Sequence, residues 1–162
     1  MVIFERIKKM IWGIIIIIGC ITIDQITKSV VRTNLRPKGS VTVIKDFFKL
    51  TYVENRGGAW GVFGGKLWLF IIITVLALGF MFYLLKDFNL KTNAFYSISL
   101  CLVIAGAIGN FIDRIFLNYV TDFLDFYIFG YNFPVFNVAD ICITIGVFML
   151  MAKLLFFSEG AN

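Results

Sequence analysis

Five aspartates lie in or beside long apolar stretches of this chain: Asp24, Asp113, Asp122, Asp125 and Asp140. An acid near the centre of a bilayer costs about 2.5–3.5 kcal/mol on insertion scales, so acids kept there point to work that they do. Two carboxyl groups held close together in low dielectric cannot both ionise, and one stays neutral near pH 7. The ionised one takes a proton from water. The neutral one donates to a carbonyl oxygen and later to a leaving amine. Such a pair hydrolyses a peptide bond without a metal or a covalent nucleophile.

The rest of the composition removes the competing chemistries. There is no histidine, which excludes Ser-His and Cys-His catalysis and the commonest metal ligand. Cys20, Cys101 and Cys142 sit far apart inside apolar runs, without metal-ligand spacing or the look of a disulfide framework, and are read as inert buried thiols. No metal and no cofactor is expected. Ser29 beside Lys28 is the one Ser-Lys candidate near a membrane edge, but neighbours on a helix point apart. The absence of a Gly-x-Gly-Asp sequence argues against presenilin-type proteases.

Each acid also has a plainer reading. Asp140 follows Asn137 by three residues, so Asn137 is a candidate N-cap and Asp140 an acid favoured by a helix N-terminus. Asp122 and Asp125, in Tyr119-Val120-Thr121-Asp122-Phe123-Leu124-Asp125, share a face if the segment is helical and oppose each other if it is extended. Asp113 and Arg114 are adjacent, point apart on a helix and each need a partner elsewhere; helix packing plus a salt bridge accounts for them. Asp24 and Lys28 are an i, i+4 pair in the better order, which suits an interfacial anchor. Asn55-Arg56-Gly57-Gly58-Ala59-Trp60-Gly61 is a lid over a substrate or a turn before a helix, and it lacks the Lys-Ser/Thr ending of a phosphate loop.

The elements that must position these residues are membrane helices. The chain has 162 residues, 60% of them hydrophobic, with mean hydropathy +0.91, against about 45–50% apolar in a soluble domain. Four apolar runs, about 10–26, 67–85, 94–112 and 138–157, each suffice for one crossing. The consecutive isoleucines of the first run favour strand in water, but in lipid a backbone must satisfy itself and helix wins. The short connection 86–93 makes the middle two helices an antiparallel hairpin. In the long first connection, roughly Thr27 to Lys66, the turn signal Pro37-Lys38-Gly39-Ser40 precedes Val41–Ile44 and Phe47–Val53, which are rich in β-branched and aromatic residues. The expected fold is an all-α membrane protein, one domain over residues 1–162, built as a four-transmembrane-helix bundle with a small extracytoplasmic β-containing cap.

Net charge is +5. The basic residues flank the apolar runs, so membrane lipids rather than nucleic acid are the expected partner. The N-terminus, with Arg6, Lys8 and Lys9, lacks a small-residue cleavage site and reads as a retained first helix. A plain charge count would put the termini outside. The side with both termini carries Arg6, Lys8, Lys9, Lys86, Lys91 and Lys153, whereas the opposite side carries more, from Lys28 to Arg114. The basic cluster before the first helix favours cytoplasmic termini.

Taken in order, five motifs resemble lipoprotein signal peptidase over nearly the whole chain: Asp24-Gln25-x-Thr27-Lys28, Asn55-x-Gly57, Gly109-Asn110-Phe111-Ile112-Asp113-Arg114, Val120-Thr121-Asp122-Phe123 and Phe136-Asn137-Val138-Ala139-Asp140. Gly57-Gly58-Ala59-Trp60 departs from the small-hydrophobic run usual after the loop asparagine. The resemblance implies an aspartic endopeptidase of the bacterial cell membrane with Asp122 and Asp140 as the catalytic pair. It implies that Asp24, Lys28, Asn55, Gly57, Asn110, Asp113, Arg114 and Asn137 hold substrate or brace that pair. It further implies cleavage of diacylglyceryl-modified prolipoproteins before the lipidated cysteine, inhibition by globomycin-type peptides, cytoplasmic termini and a site at the outer face. Two other classes remain open from the residues alone. A small ion-coupled transporter also carries membrane aspartates, although no internal repeat is present. A membrane scaffold would tolerate loss of Asp122 and Asp140.

Overall fold

In a computed structural model, residues 2–57 and 67–156 are described, with side chains from residue 10 onward in the first helix. The elements run α1 (Val2–Asn34), β1 (Ser40–Ile44), β2 (Phe48–Asn55), α2 (Leu67–Leu84), α3 (Ala94–Leu117), β3 (Val120–Ile128), β4 (Tyr131–Asn132) and α4 (Val138–Phe156). All four helices are long and apolar enough to cross a membrane. The glycine-rich segment expected as a lid, Asn55–Gly61, lies mostly outside the described residues, as does the last residue of the fourth expected run, Phe157.

Two helices exceed the apolar runs that predicted them. The first ends at Asn34 rather than at residue 26, and the third at Leu117 rather than 112. Past Ile26, polar residues of α1 satisfy themselves on the helix itself. Thr27 Oγ1 donates to the carbonyls of Ile23 (2.9 Å) and Asp24 (2.8 Å), and Thr33 Oγ1 to that of Ser29 (3.0 Å). The helix stops short of Arg36, whose αR conformation is disfavoured by the following Pro37. The overlooked signal is spacing: Asp24, Lys28, Val31 and Leu35 are buried, a stripe of steps four, three and four that continues the inward face through the charges. Hydropathy stopped where the stripe did not.

α3 is the central helix: 56% of its most apolar 18-residue stretch is buried, against 11% or less in the corresponding stretches of the other three. Its small residues set the distance to α4. A Cβ on Gly106 would collide with the Ala139 carbonyl oxygen and lie 2.7 Å from Ile143 Cγ1. One on Gly146, in α4, would lie 2.7 Å from the Ser99 carbonyl oxygen. Helices in lipid gain little from burying apolar surface against each other and depend on such close approach. Gly106→Val is therefore expected to drive α3 and α4 apart and lower the melting temperature in detergent. Overpacking of this kind costs about 1–3 kcal/mol, and a thermal unfolding curve superimposable on that of the parent chain would refute the role. Cys101 and Cys142 are buried and Cys20 partly so, and all three are free thiols.

The cap is a four-stranded antiparallel sheet in the order β1-β2-β3-β4. The two expected strands are present as β1 and β2. The open choice at Tyr119–Tyr127 resolves as strand: β3 pairs with β2 from Asn55↔Val120 to Phe48↔Phe126. Val31 of α1, Leu35 just past its end, Phe123 of β3 and the flanking Leu50, Tyr52 and Leu124 form one apolar cluster. That cluster docks the sheet on the end of α1 and fixes where β3 begins. Beyond β3, Phe129 (φ 49°) and Gly130 (φ 83°) make a tight hairpin turn. The chain then returns along β3, with Phe136 accepting from the N–H groups of Phe123 and Leu124 at 3.0 and 2.8 Å, and this return delivers Asn137 to the start of α4.

Candidate active site

Because β3 is extended, Asp122 and Asp125 face opposite ways. Asp125 accepts from Thr51 Oγ1 at 2.6 Å on the cap. Asp122 faces the helix bundle and is 2% exposed. Its Oδ1 accepts from Asn137 Nδ2 at 2.6 Å and its Oδ2 from Asn55 Nδ2 at 2.8 Å. Burial, and next the charge of Asp140, push the Asp122 carboxyl up to about 7, with the amides of Asn55 and Asn137 pulling the other way.

Asp140 arrives from α4. Asn137 caps that helix through its Oδ1, which accepts the Asp140 N–H at 3.0 Å, and Asp140 Oδ2 accepts the Asn137 N–H at 3.1 Å. This reciprocal arrangement satisfies two backbone donors that a helix start leaves open. The remaining oxygen, Oδ1, accepts from Asn110 Nδ2 of α3 at 2.7 Å. Asn110 and Asn137 also bond each other, Nδ2 of Asn137 donating to Oδ1 of Asn110 at 3.1 Å. Three asparagines from a strand end, a helix centre and a helix cap thus tie the two carboxyls into one network.

Beneath it lies a second layer. Lys28 is fully buried and its ammonium meets Asp24 at 2.9 Å, Asp113 at 3.4 Å and Asn110 Oδ1 at 2.9 Å. The Asp24–Lys28 pair is thus no interfacial anchor; both side chains point into the bundle, where the helix stripe of α1 carries them. Asp24 Oδ1 accepts the Ala139 N–H at 2.9 Å, holding the first turn of α4 against α1. Asp113 Oδ2 accepts the Thr121 N–H at 2.9 Å, which fixes the backbone one residue before Asp122. Gly109 leaves room for this: a Cβ there would lie 2.6 Å from Asp24 Oδ2. Ser29 is exposed while Lys28 is buried, so the two side chains diverge.

The acids open on a cavity of about 690 Å³. Asn55, Asn110, Arg114, Asp122 and Asp140 line its polar part, and Phe70, Ile73, Ala77, Ile141 and Ile145 its apolar walls. Arg114 stands 4.7 Å over the ring of Phe70 and donates to the Asn110 carbonyl at 3.3 Å. Ile73, Ile141 and Ile145 line the cavity and are themselves solvent-exposed. Asn55, Asn110, Arg114 and the two central acids line the cavity, Asp24, Lys28, Asp113 and Asn137 join them through the network behind it, and the Gly57 N–H donates to Asn55 Oδ1 at 3.2 Å. Sequence reasoning missed Arg32, which reaches Thr121 Oγ1 at 3.1 Å and Asp113 at 3.5 Å, and Gln25, which donates to Asp24 and to the Gly109 carbonyl, each at 3.1 Å. Arg32 lies four residues after Lys28, the spacing that would have flagged it.

Residues 16–156 match the family model described as signal peptidase (SPase) II. The lipoprotein signal peptidase of Staphylococcus aureus (strain JH9) is 41% identical over 144 residues, covering 88% of this chain and 87% of that protein. The chain belongs to the signal peptidase II family. As a signal peptidase II it is a multi-pass membrane protein and an aspartic protease that removes signal peptides from prolipoproteins. Two solved structures share its fold. A bacterial membrane enzyme determined by the in meso method at 2.3 Å resolution superposes with TM-score 0.81 at 38% identity, covering 93% of each chain. Another, at 1.9 Å, gives 0.80 at 39% identity, covering 90% of this chain and 94% of the other.

Proposed function

We propose that the chain, acting as one domain over residues 1–162, cleaves diacylglyceryl-modified prolipoproteins immediately before the lipidated cysteine, with Asp122 and Asp140 activating water. The observation that carries this reading is that β3 and α4 deliver two carboxyls to the mouth of one cavity, linked through Asn110 and Asn137, where polar lining gives way to apolar walls. Water between the carboxyls loses a proton to one of them as its oxygen bonds to the scissile carbonyl carbon. The other carboxyl gives its proton to the carbonyl oxygen. Collapse of the tetrahedral intermediate breaks the C–N bond, sends the first proton to the leaving amine and returns the second to its carboxyl.

The surroundings suit a substrate that is part peptide and part lipid. Acyl chains remain among the exposed Ile73, Ile141 and Ile145 while the peptide crosses the acids. Asn55 and Arg114 offer donors to an extended backbone, and the same groups would receive a globomycin-type peptide. The orientation that fits such substrates has both termini cytoplasmic and the cavity mouth at the outer face, since prolipoproteins present the modified cysteine there. The test is direct: purified protein in a bilayer with a diacylglyceryl-modified precursor, scored for signal-peptide release. Absence of release from a folded preparation would overturn the reading. The chemistry requires no ion, so release is expected to continue unchanged in excess chelator; loss of activity that one particular divalent metal restores would make Asp122 and Asp140 ligands instead.

A further inference from the structure

Lys28 is 0% exposed and stands behind Asn110, away from any substrate, yet its contacts determine which way the Asn110 amide faces. An ammonium has only protons to give, so Asn110 must turn its carbonyl oxygen toward it. That oxygen also accepts from Asn137 Nδ2. With Oδ1 committed, Asn110 has only its amide nitrogen for Asp140. The amides of Asn137 and Asn55 are locked similarly, by the N–H groups of Asp140 and Gly57 on their oxygens. Those two locks are backbone donors. Asn110 is held by two side-chain donors instead, the Asn137 amide and, at shorter distance, the Lys28 ammonium at the end of a buried ion-pair set.

We propose that Lys28 is a positioning residue for catalysis: by holding the Asn110 amide nitrogen toward Asp140, it makes Asp140 the carboxylate that takes the proton from water and leaves the shared proton on Asp122. This rests on the dyad reading above and deepens it. A reversed Asn110 would offer Asp140 a carbonyl oxygen, which accepts an O–H and so retains a proton on the group that must receive one. Asp140 has further features of the base. It lies in the first turn of α4, where the helix terminus favours negative charge, and its second oxygen holds a backbone N–H. The charged groups around it are Lys28 and Asp24 on α1, Arg114 and Asp113 on α3, and Asp122 on β3. Asp24 and Asp113 are already paired with Lys28.

The test is the pH dependence of kcat for the purified full-length enzyme on a diacylglyceryl-modified precursor. Two variants separate orientation from simple charge balance. Lys28→Gln combined with Asp24→Asn removes the cation together with one buried acid, and the new amide at 24 still accepts the Ala139 N–H. Asn110→Asp keeps the partner of Lys28 and the side-chain shape but gives Asp140 an acceptor in place of a donor. In both, kcat at neutral pH is expected to fall by about tenfold to a hundredfold. The acidic limb should move about one unit to higher pH while KM stays within about twofold. Parental activity in the double variant, or a lower rate with an unmoved acidic limb in either, would reduce Lys28 to a neutraliser of Asp24 and Asp113 and overturn the proposal. If the double variant does not fold, Lys28→Gln alone supplies the readout, with the same displaced acidic limb expected and an unmoved limb overturning the proposal. Failure of the underlying dyad reads differently: Asp140→Asn would then remain active whatever Lys28 does.

Discussion

Asp122→Asn and Asp140→Asn each leave an inserted, folded protein that releases no measurable signal peptide. Both carboxyls exchange protons with the reacting atoms in the proposed hydrolysis, and an amide at neutral pH does neither job. Positioned acid–base groups contribute about 10²–10⁴-fold each, and members of one unit fail together rather than additively. The substitution is nearly isosteric, but it is not free. Each oxygen of Asp122 accepts from an asparagine amide, so an asparagine at 122 sets one amide nitrogen against another. A loss of about 1–3 kcal/mol follows, which makes thermal unfolding of the purified variants a necessary companion measurement. Asp125→Asn is the control: that acid faces the cap, bonded to Thr51, and its loss leaves cleavage intact. The same reading predicts an alkaline limb: with its carboxyl pushed up to about 7, Asp122 is protonated below that pH and gives up its proton above it, so the pH profile of kcat is expected to decline as pH rises through neutrality. Substantial release by either folded variant would end the dyad assignment.

A precursor lacking the diacylglyceryl group is expected to be a poor substrate even when its peptide is identical. The lipid holds the cysteine at the depth of the cavity mouth and turns a search through volume into one within a plane, raising effective concentration. It also adds apolar contact with the cavity walls. At about 0.8 kcal/mol per buried methylene, even four methylenes correspond to on the order of a hundredfold in kcat/KM. Part of that energy serves to hold the scissile bond against the two carboxyls rather than to tighten binding alone. The measurement is cleavage of matched precursors, with and without the group, in one bilayer composition. Equal efficiency would show that the enzyme reads only peptide and would detach the reaction from the lipid-facing mouth.

The chain's amino-acid order alone pointed to its membrane-spanning helices and to a short list of chemistries. Four apolar runs, the missing histidine and aspartates beside lipid leave few catalytic options, because each is a matter of composition and local spacing. The helix cap at Asn137 and the Asp24–Lys28 pair were equally local, three and four residues apart, and both are present. What required the tertiary structure was everything carried across the chain. Asp122 and Asp140 meet only because β3 is extended and the return through Phe136 sets α4 beside it, and a strand whose residues alternate aromatic and acidic reads equally well as interfacial helix until a partner strand is supplied. The lengths of α1 and α3 were likewise out of reach of hydropathy, which counts a charge as an ending, whereas Lys28 and Asp113 are buried together and neutralise each other. Lys28 shows the difference most plainly. Beside Asp24 in sequence it is one half of a local ion pair. Only contact with Asn110, 82 residues away, joins it to the amide that faces Asp140, since hydrogen-bond direction is decided by which donor stands opposite which acceptor in space.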